Sequence, residues 1–200
     1  MLFNSLQFLI FFPLVCIIYF ILRSNKSRIP FLLIASYYFY MNWNPTYAIL
    51  ILTSTLLTYL CGIFVEKNDS DKHKKKLFLT ISLIINFSIL FIFKYFNFIN
   101  DSVFAIMEYV GIRWSVPNLD VLLPVGISFY TFQAVGYSID VYRGTIKAEK
   151  NFITYALFVS FFPQLVAGPI ERAKNLLPQF YEEHKFDYNN VVEGLKLMLW

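Results

Sequence analysis

Four polar side chains recur along one apolar stretch of the sequence at the spacing of a helix face. This stripe consists of Tyr130, Gln133, Tyr137 and Asp140, separated by three, four and three residues. A helix would place them on one side. Because a polar stripe is costly against lipid, it should face other helices or water. It either lines a substrate tunnel or forms interhelical hydrogen bonds. Asp140 can also pair with Arg143, one turn further on.

A second group of polar residues follows a predicted break in a helix. Pro163 interrupts the apolar segment 152–170, which ends in a Gly-Pro turn. Gln164 comes directly after the break, and Glu171 and Arg172 come directly after the turn, where they can form an ion pair. The pattern predicts either a cytoplasmic element that lines a cavity or docks a partner, or a kinked helix with an interfacial salt bridge.

Other residues that carry catalysis or bind metals show no recognisable arrangement. His73 lies in a lysine-rich segment and His184 in a polar one, and histidines in such segments are typically solvated. No nucleophile elbow, zinc-protease motif or phosphate loop is present in the sequence. Cys16 and Cys61 lie in apolar segments without metal-binding spacing, so we expect structural roles. The sequence predicts neither a metal site nor a bound cofactor.

The composition indicates that these groups belong to a membrane protein. Apolar residues make up 58% of the chain and charged residues 15%, whereas a soluble domain has about 45–50% apolar and about 25% charged residues. So much apolar surface needs a lipid bilayer rather than one small soluble core. The net charge of +4 is modest, and no cluster of basic and aromatic residues indicates nucleic-acid binding.

The apolar segments predict an all-α fold, a polytopic transmembrane helix bundle that forms one membrane-embedded unit over residues 1–200. A span needs roughly 20 residues. Spans are predicted near 6–22, 29–40 (a short one), 47–65, 77–99 and 121–141, followed by a re-entrant or in-plane broken helix near 152–170 and the start of a further helix at 191–200. A polar loop is predicted at 66–76, and a mixed loop with a short amphipathic helix around 103–110 is predicted at 100–120.

The distribution of lysine and arginine predicts the orientation of these spans. Segments 23–28 and 66–76 carry three and five basic residues, which assigns both to the cytoplasm and the N-terminus to the outside. Segment 100–120 holds a single arginine, as expected of an external loop. Basic residues flank 152–170 on both sides. They favour a re-entrant element over a full crossing, because both flanks then stay in the cytoplasm.

Two long motifs carry a family resemblance. They read LPVGISFYTFQAVGYSIDVYRG at 123–144 and FVSFFPQLVAGPIERAKNLLPQF at 158–180. Both resemble the membrane-bound O-acyltransferase family, in the bacterial branch typified by alginate O-acetyltransferase, as do segments 1–15 and 36–47. The resemblance implies transfer of an acyl group, expected to be acetyl. The donor would be cytoplasmic, such as an acyl thioester, and the acceptors would be hydroxyl groups of an extracytoplasmic polysaccharide or cell-envelope polymer.

The resemblance also implies a longer protein. Family members have an essential histidine in an apolar helix of their later half, a setting that neither histidine here shares. No catalytic residue is therefore assigned, and the catalytic histidine is expected beyond Trp200. We expect an N-terminal portion of an inner-membrane enzyme that is inactive alone and acts with further envelope acetylation proteins. The alternatives are a non-catalytic multi-span membrane subunit and a small transporter.

Overall fold

The protein is built from helices joined by short connections. The computed structural model describes residues 1, 3–114, 116–120, 123–166 and 168–199. Over these ranges the chain forms no β-strand, and the expectation of an all-α membrane helix bundle is confirmed. In chain order the helices are α1 Leu6–Ile21, α2 Asn25–Met41, α3 Tyr47–Lys67, α4 Lys72–Leu90, a π-helical segment Phe91–Tyr95, α5 Phe96–Tyr109, α6 Ile127–Tyr142, α7 Phe152–Ser160, α8 Phe162–Leu165, α9 Ala173–Tyr181 and α10 Tyr188–Leu199.

Two helical runs are long and apolar enough to cross a membrane. They are Tyr47–Lys67, with 21 residues, and the continuous run Lys72–Tyr109, with 38 residues. The most apolar part of the first run is 44% buried in the protein, but that of the second is only 17% buried. The second run therefore presents most of its apolar surface outward, as expected of a helix at the lipid boundary. Helix α1 and the α7–α8 segment are apolar but shorter.

Helix α6 lies at the centre of the bundle and packs against α3, α4 and α7. Tyr137 of α6 and Tyr155 of α7 are almost fully enclosed, with ring centroids 4.4 Å apart. Tyr137 also lies directly against Gly62 of α3, where an added Cβ would sit 2.7 Å from its hydroxyl oxygen. The absence of a side chain at Gly62 thus permits close packing of the polar stripe of α6 against α3.

A buried polar network joins α3 to α4 and α7. The Tyr155 hydroxyl donates to Thr58 Oγ1 at 2.7 Å, and the Thr58 hydroxyl donates to the Ser54 carbonyl at 2.7 Å. The Ser54 hydroxyl in turn donates to the side-chain oxygen of Asn86. The side-chain amide nitrogen of Asn86 donates to the Ser82 carbonyl. Such interhelical bonds stabilise bundles in lipid, where unpaired polar groups find no water.

The predicted loop 66–76 is largely helical, because α4 already begins at Lys72. Asp71 caps the helix, with Oδ1 accepting from the backbone N–H groups of His73 and Lys74, each at 3.1 Å. The Lys74 N–H bond is the main reason that the pKa of Asp71 is lowered. The predicted start of the helix at residue 77 was set by the first apolar residue and did not take this cap into account.

The other predicted boundaries also differ from the observed helices. Helix α2 has 17 residues and extends beyond the short arm predicted at 29–40. Helix α5 runs from Phe96 to Tyr109 and contains most of the short helix expected at 103–110. Helix α6 begins only at Ile127, and the first two residues of the predicted span 121–141, like the last of 191–200, lie outside the described residues.

Asparagine side chains of α5 secure the connection that follows it. Asn97 Nδ2 donates to the Leu119 carbonyl and Asn97 Oδ1 accepts from the Leu119 N–H, both at 2.8 Å. Asn100 Oδ1 accepts from the Trp114 indole at 2.7 Å, and its amide nitrogen donates to the Val116 carbonyl at 2.9 Å. The described residues of this connection are therefore held against α5 although they form no regular secondary structure.

Candidate functional site

The break between α7 and α8 is stabilised by side chains from three elements. The carbonyl of Phe158 accepts from the Gln133 amide of α6 at 2.7 Å and from the Gln164 amide of α8 at 3.1 Å. The N–H of Phe162 donates to the Ser36 hydroxyl of α2 at 3.2 Å. Non-helical backbone at membrane depth is tolerated only where protein or water supplies partners. Here the protein supplies them.

The broken helix runs from the end of α6 back to its start, and the chain that follows returns to the residues that precede it. At the far end of the broken helix, an added Cβ on Gly126 would clash with the Leu165 carbonyl oxygen. Gly126 also has a φ of 75°, which favours glycine. After the turn the chain returns, and the Tyr181 hydroxyl donates to the Glu149 carboxylate at 2.8 Å. The residues that flank the segment thus lie together.

A cavity of about 300 Å³ lies where the returning chain passes α6. It is bounded on one side by the C-terminal half of α6 and on the other by residues 170–173. Two sets of predicted site residues, which are distant in sequence, meet in this cavity. Its polar lining comprises Gln133, Tyr137, Asp140, Arg143, Glu171 and Arg172.

The remaining two predicted site residues do not line this cavity. Tyr130 is fully buried near the amino end of α6. Its hydroxyl has no hydrogen-bond partner among the described residues. Gln164 is buried at the break, where its amide bonds to the Phe158 carbonyl. Gln164 therefore contributes to the shape of the broken helix, and its assignment to a docking surface stays a prediction.

Gln133 and Tyr137 bind neighbouring segments as well as lining the cavity. The Gln133 amide bonds to α7, and the Tyr137 hydroxyl accepts from the backbone N–H of Glu149 at 2.9 Å. These bonds agree with the interpretation of the stripe as a source of interhelical hydrogen bonds. They also fix both side chains, so this part of the cavity wall is rigid. The assignment of the stripe to a substrate tunnel stays a prediction.

Both ion pairs considered from the sequence are absent from the cavity. Neither Asp140 with Arg143 nor Glu171 with Arg172 forms a salt bridge; the salt bridges among the described residues involve α4 lysines. Arg143 is exposed just past the end of α6, where an ion pair would contribute little. Arg172 has an extended backbone, in which successive side chains point to opposite sides. The two carboxylates and two guanidinium groups that line the cavity thus form no direct ion pair with one another.

Sequence reasoning missed two residues that secure this region. Ser36 accepts the N–H freed at the break, but a serine inside an aromatic segment gives no signal of this role. Arg28 was interpreted only as a basic flank, yet it is 7% exposed. Its guanidinium donates to the carbonyls of Tyr19 and Leu22 at the end of α1, and to that of His184. It therefore joins α1 to the chain that follows α9.

The two histidines lie away from the cavity. His73 is exposed in the first turn of α4, and His184 is exposed after α9, with Nε2 3.1 Å from the Gln179 carbonyl. Within the described ranges, no three His, Cys, Asp or Glu side chains gather as metal ligands. The expectation of no resident metal or cofactor stays a prediction.

Comparison with known proteins gives consistent relatives. The chain is 37% identical over 188 residues to the probable alginate O-acetylase of Pseudomonas aeruginosa, covering 94% of this chain and 36% of the relative. It is 40% identical over 181 residues to the probable alginate O-acetylase of Pseudomonas putida, covering 90% and 37%. It is 31% identical over 228 residues to a peptidoglycan O-acetyltransferase of Helicobacter pylori, covering 98% and 42%.

The similarity covers nearly the whole chain but only part of each relative. The chain spans little more than a third of the length of the curated alginate O-acetylases that it matches. No family model and no solved structure matches it. The shared region includes both long motifs, and therefore the stripe of α6, the broken helix and the cavity between them.

Proposed function

Since the chain belongs to the membrane-bound O-acyltransferase family, in the branch of the alginate O-acetylases, we propose that it forms part of an O-acetyltransferase. The complete protein transfers an acetyl group from a cytoplasmic acyl thioester to hydroxyl groups of an extracytoplasmic polysaccharide. The observation that carries this proposal is similarity over 90% or more of the chain to proteins named for O-acetylation of alginate and of peptidoglycan. Alginate and peptidoglycan both present glycan hydroxyl groups.

The cavity beside α6 supports a role for this region in binding the acyl donor. Arg143 and Arg172 line it and have no direct carboxylate partner among the described residues. Guanidinium groups readily bind anionic groups of a ligand. Asp140 and Glu171 add hydrogen-bond acceptors. Basic residues at 143, 147 and 150 lie close in sequence, which favours a cytoplasmic location for this end of α6.

In the proposed reaction, the acceptor hydroxyl attacks the thioester carbonyl and the thiolate leaves. A general base takes the hydroxyl proton and then returns it to the leaving thiolate, so the protons balance. The family resemblance implies a histidine in this role, contributed by a part of the enzyme other than this chain. The residues described here would bind and orient the donor, because Gln133 and Tyr137 are fixed by hydrogen bonds to α7 and to the segment that precedes it.

The proposal includes a location and partners. We place the protein in the inner membrane with its N-terminus outside, and segment 152–170 as a re-entrant element open to the cytoplasm. The contact between Glu149 and Tyr181 supports the re-entrant topology. The partners would be the lipid bilayer, the polysaccharide acceptor and envelope acetylation proteins, without nucleic acid.

The complete protein should be tested in a strain that lacks its own polymer O-acetylase. Expression should restore ester-linked acetate on the exported polysaccharide, measured by nuclear magnetic resonance after mild alkaline release. The double variant R143Q/R172Q should raise the donor concentration needed for half-maximal activity in membrane vesicles. R113Q removes an exposed arginine outside the cavity and serves as the matched control. No polymer acetate despite normal membrane levels would overturn the proposal.

A further inference from the structure

The first turns of α4 concentrate positive charge where a helix disfavours it. Lys72, His73, Lys74 and Lys76 are all exposed there. The amino end of a helix carries a partial positive charge, which repels cations. Lys72 and Lys76 are also one turn apart, and like charges at this spacing repel each other.

The acidic residues nearby neutralise only part of this charge. Lys74 pairs with Asp71 at 3.3 Å and Lys75 pairs with Asp69. The Lys75 ammonium lies 5.5 Å from the centre of the Tyr142 ring and so faces the bundle. In the part of the chain that the structure describes, Lys72 and Lys76 have no salt bridge. Two cations are therefore available to an external anion.

Exposed apolar side chains follow these lysines further along α4. Leu77, Ile81 and Ile84 are 55%, 45% and 60% exposed, and their spacing places them on one side of the helix. The run that contains them is the one with only 17% burial. The positively charged first turns of α4 are thus followed, towards the carboxyl end of the helix, by an exposed apolar strip.

We propose that the amino-terminal part of α4 binds an anionic phospholipid, with the long side chains of Lys72 and Lys76 reaching the phosphate and Leu77, Ile81 and Ile84 against an acyl chain. A soluble acidic partner would fit only the lysines, because the apolar strip lies at bilayer depth. An anionic lipid covers both parts with one molecule. Each lysine near a membrane surface is worth about fivefold in affinity for anionic lipid. This proposal does not rest on the acetyltransferase activity.

The proposal can be tested by counting bound lipids with native mass spectrometry of the complete protein in detergent. Phosphatidylglycerol should bind more tightly than phosphatidylcholine of the same chain length. The variant K72Q/K76Q should weaken phosphatidylglycerol binding about 25-fold, with phosphatidylcholine binding unchanged. Unchanged phosphatidylcholine binding also shows that the variant is folded.

The control variant K174Q/K185Q removes the same charge from exposed positions elsewhere on the predicted cytoplasmic side. It should bind phosphatidylglycerol as the unmodified protein does. Equal weakening in both variants, or equal affinity for the two lipids, would overturn the site. Displacement by equimolar glycerol phosphate would also overturn it, because the apolar strip would then contribute nothing.

Discussion

The hydroxyl of Tyr181 donates a 2.8 Å hydrogen bond to the carboxylate of Glu149, across 32 residues of chain. Between these two residues the chain runs along α7, breaks after Ser160, approaches the start of α6 at Leu165 and returns. The bond closes this excursion at its base. This contact supports the proposed re-entrant topology of segment 152–170.

Thiol labelling in intact cells tests this topology. We expect cysteines introduced as K174C and K185C, in a C16S/C61A background, to resist a membrane-impermeant reagent added outside. Both positions follow the return of the chain and are exposed. R113C, in the connection after α5, should react under the same conditions. Labelling at Lys174 would show that the segment crosses fully.

The bonds to the Phe158 carbonyl predict a stability effect. The variant Q133M/Q164M removes both donors and leaves a buried acceptor unsatisfied, which costs about 1–3 kcal/mol. The melting temperature in detergent should fall accordingly. The control Q7M changes an exposed glutamine of α1 and should have little effect. An unchanged melting temperature would show that this carbonyl has another partner.

Close packing at Gly62 predicts a contrast between two glycine substitutions. In G62A the new Cβ would lie 2.7 Å from the Tyr137 hydroxyl oxygen and 2.8 Å from its ring, so overpacking should cost about 1–3 kcal/mol. In G136A the new Cβ meets nothing within 4 Å, and helix propensity should make it neutral or stabilising. Thermal unfolding of both variants in one detergent gives the comparison, and equal stability would contradict the packing argument.

The acid in the cavity predicts an effect on activity. In the complete enzyme, D140N should lower polymer acetylation at least about tenfold if the carboxylate binds substrate directly, since such charged hydrogen bonds contribute about 1.5–3 kcal/mol. Protein level should stay constant on immunoblots. D120N, at an exposed acid outside the cavity, is the matched control. Wild-type activity of D140N would remove Asp140 from the site.

The cap of α4 predicts a dependence of stability on pH. Because the pKa of Asp71 is lowered in the folded protein, its ionised form stabilises α4 above the ordinary carboxyl pKa. This contribution is lost as the pH falls through the lowered value. D71A should therefore lower the melting temperature at neutral pH but not at strongly acidic pH. D71N keeps an oxygen acceptor and should lose less at neutral pH.

The membrane class and the placement of the stripe on one helix could be predicted because they depend on composition and local spacing. The stripe of α6 follows directly from helical periodicity, and Pro163 marks the break in sequence. The meeting of Asp140 with Glu171 could not be predicted, because it depends on the return path of a non-local segment. The role of Ser36 could not be predicted either, since it accepts from a residue 126 positions away.

The hydrogen bonds at the break also constrain the order in which the protein is made. Phe162 N–H and the Phe158 carbonyl find their partners on α2 and α6, which a ribosome synthesises before α7. When the broken segment leaves the translocon, its partners are already in the bilayer. A circular permutation that moved α7 and α8 ahead of α2 would expose the same groups to hydrocarbon, and the nascent chain would become a substrate for membrane proteases.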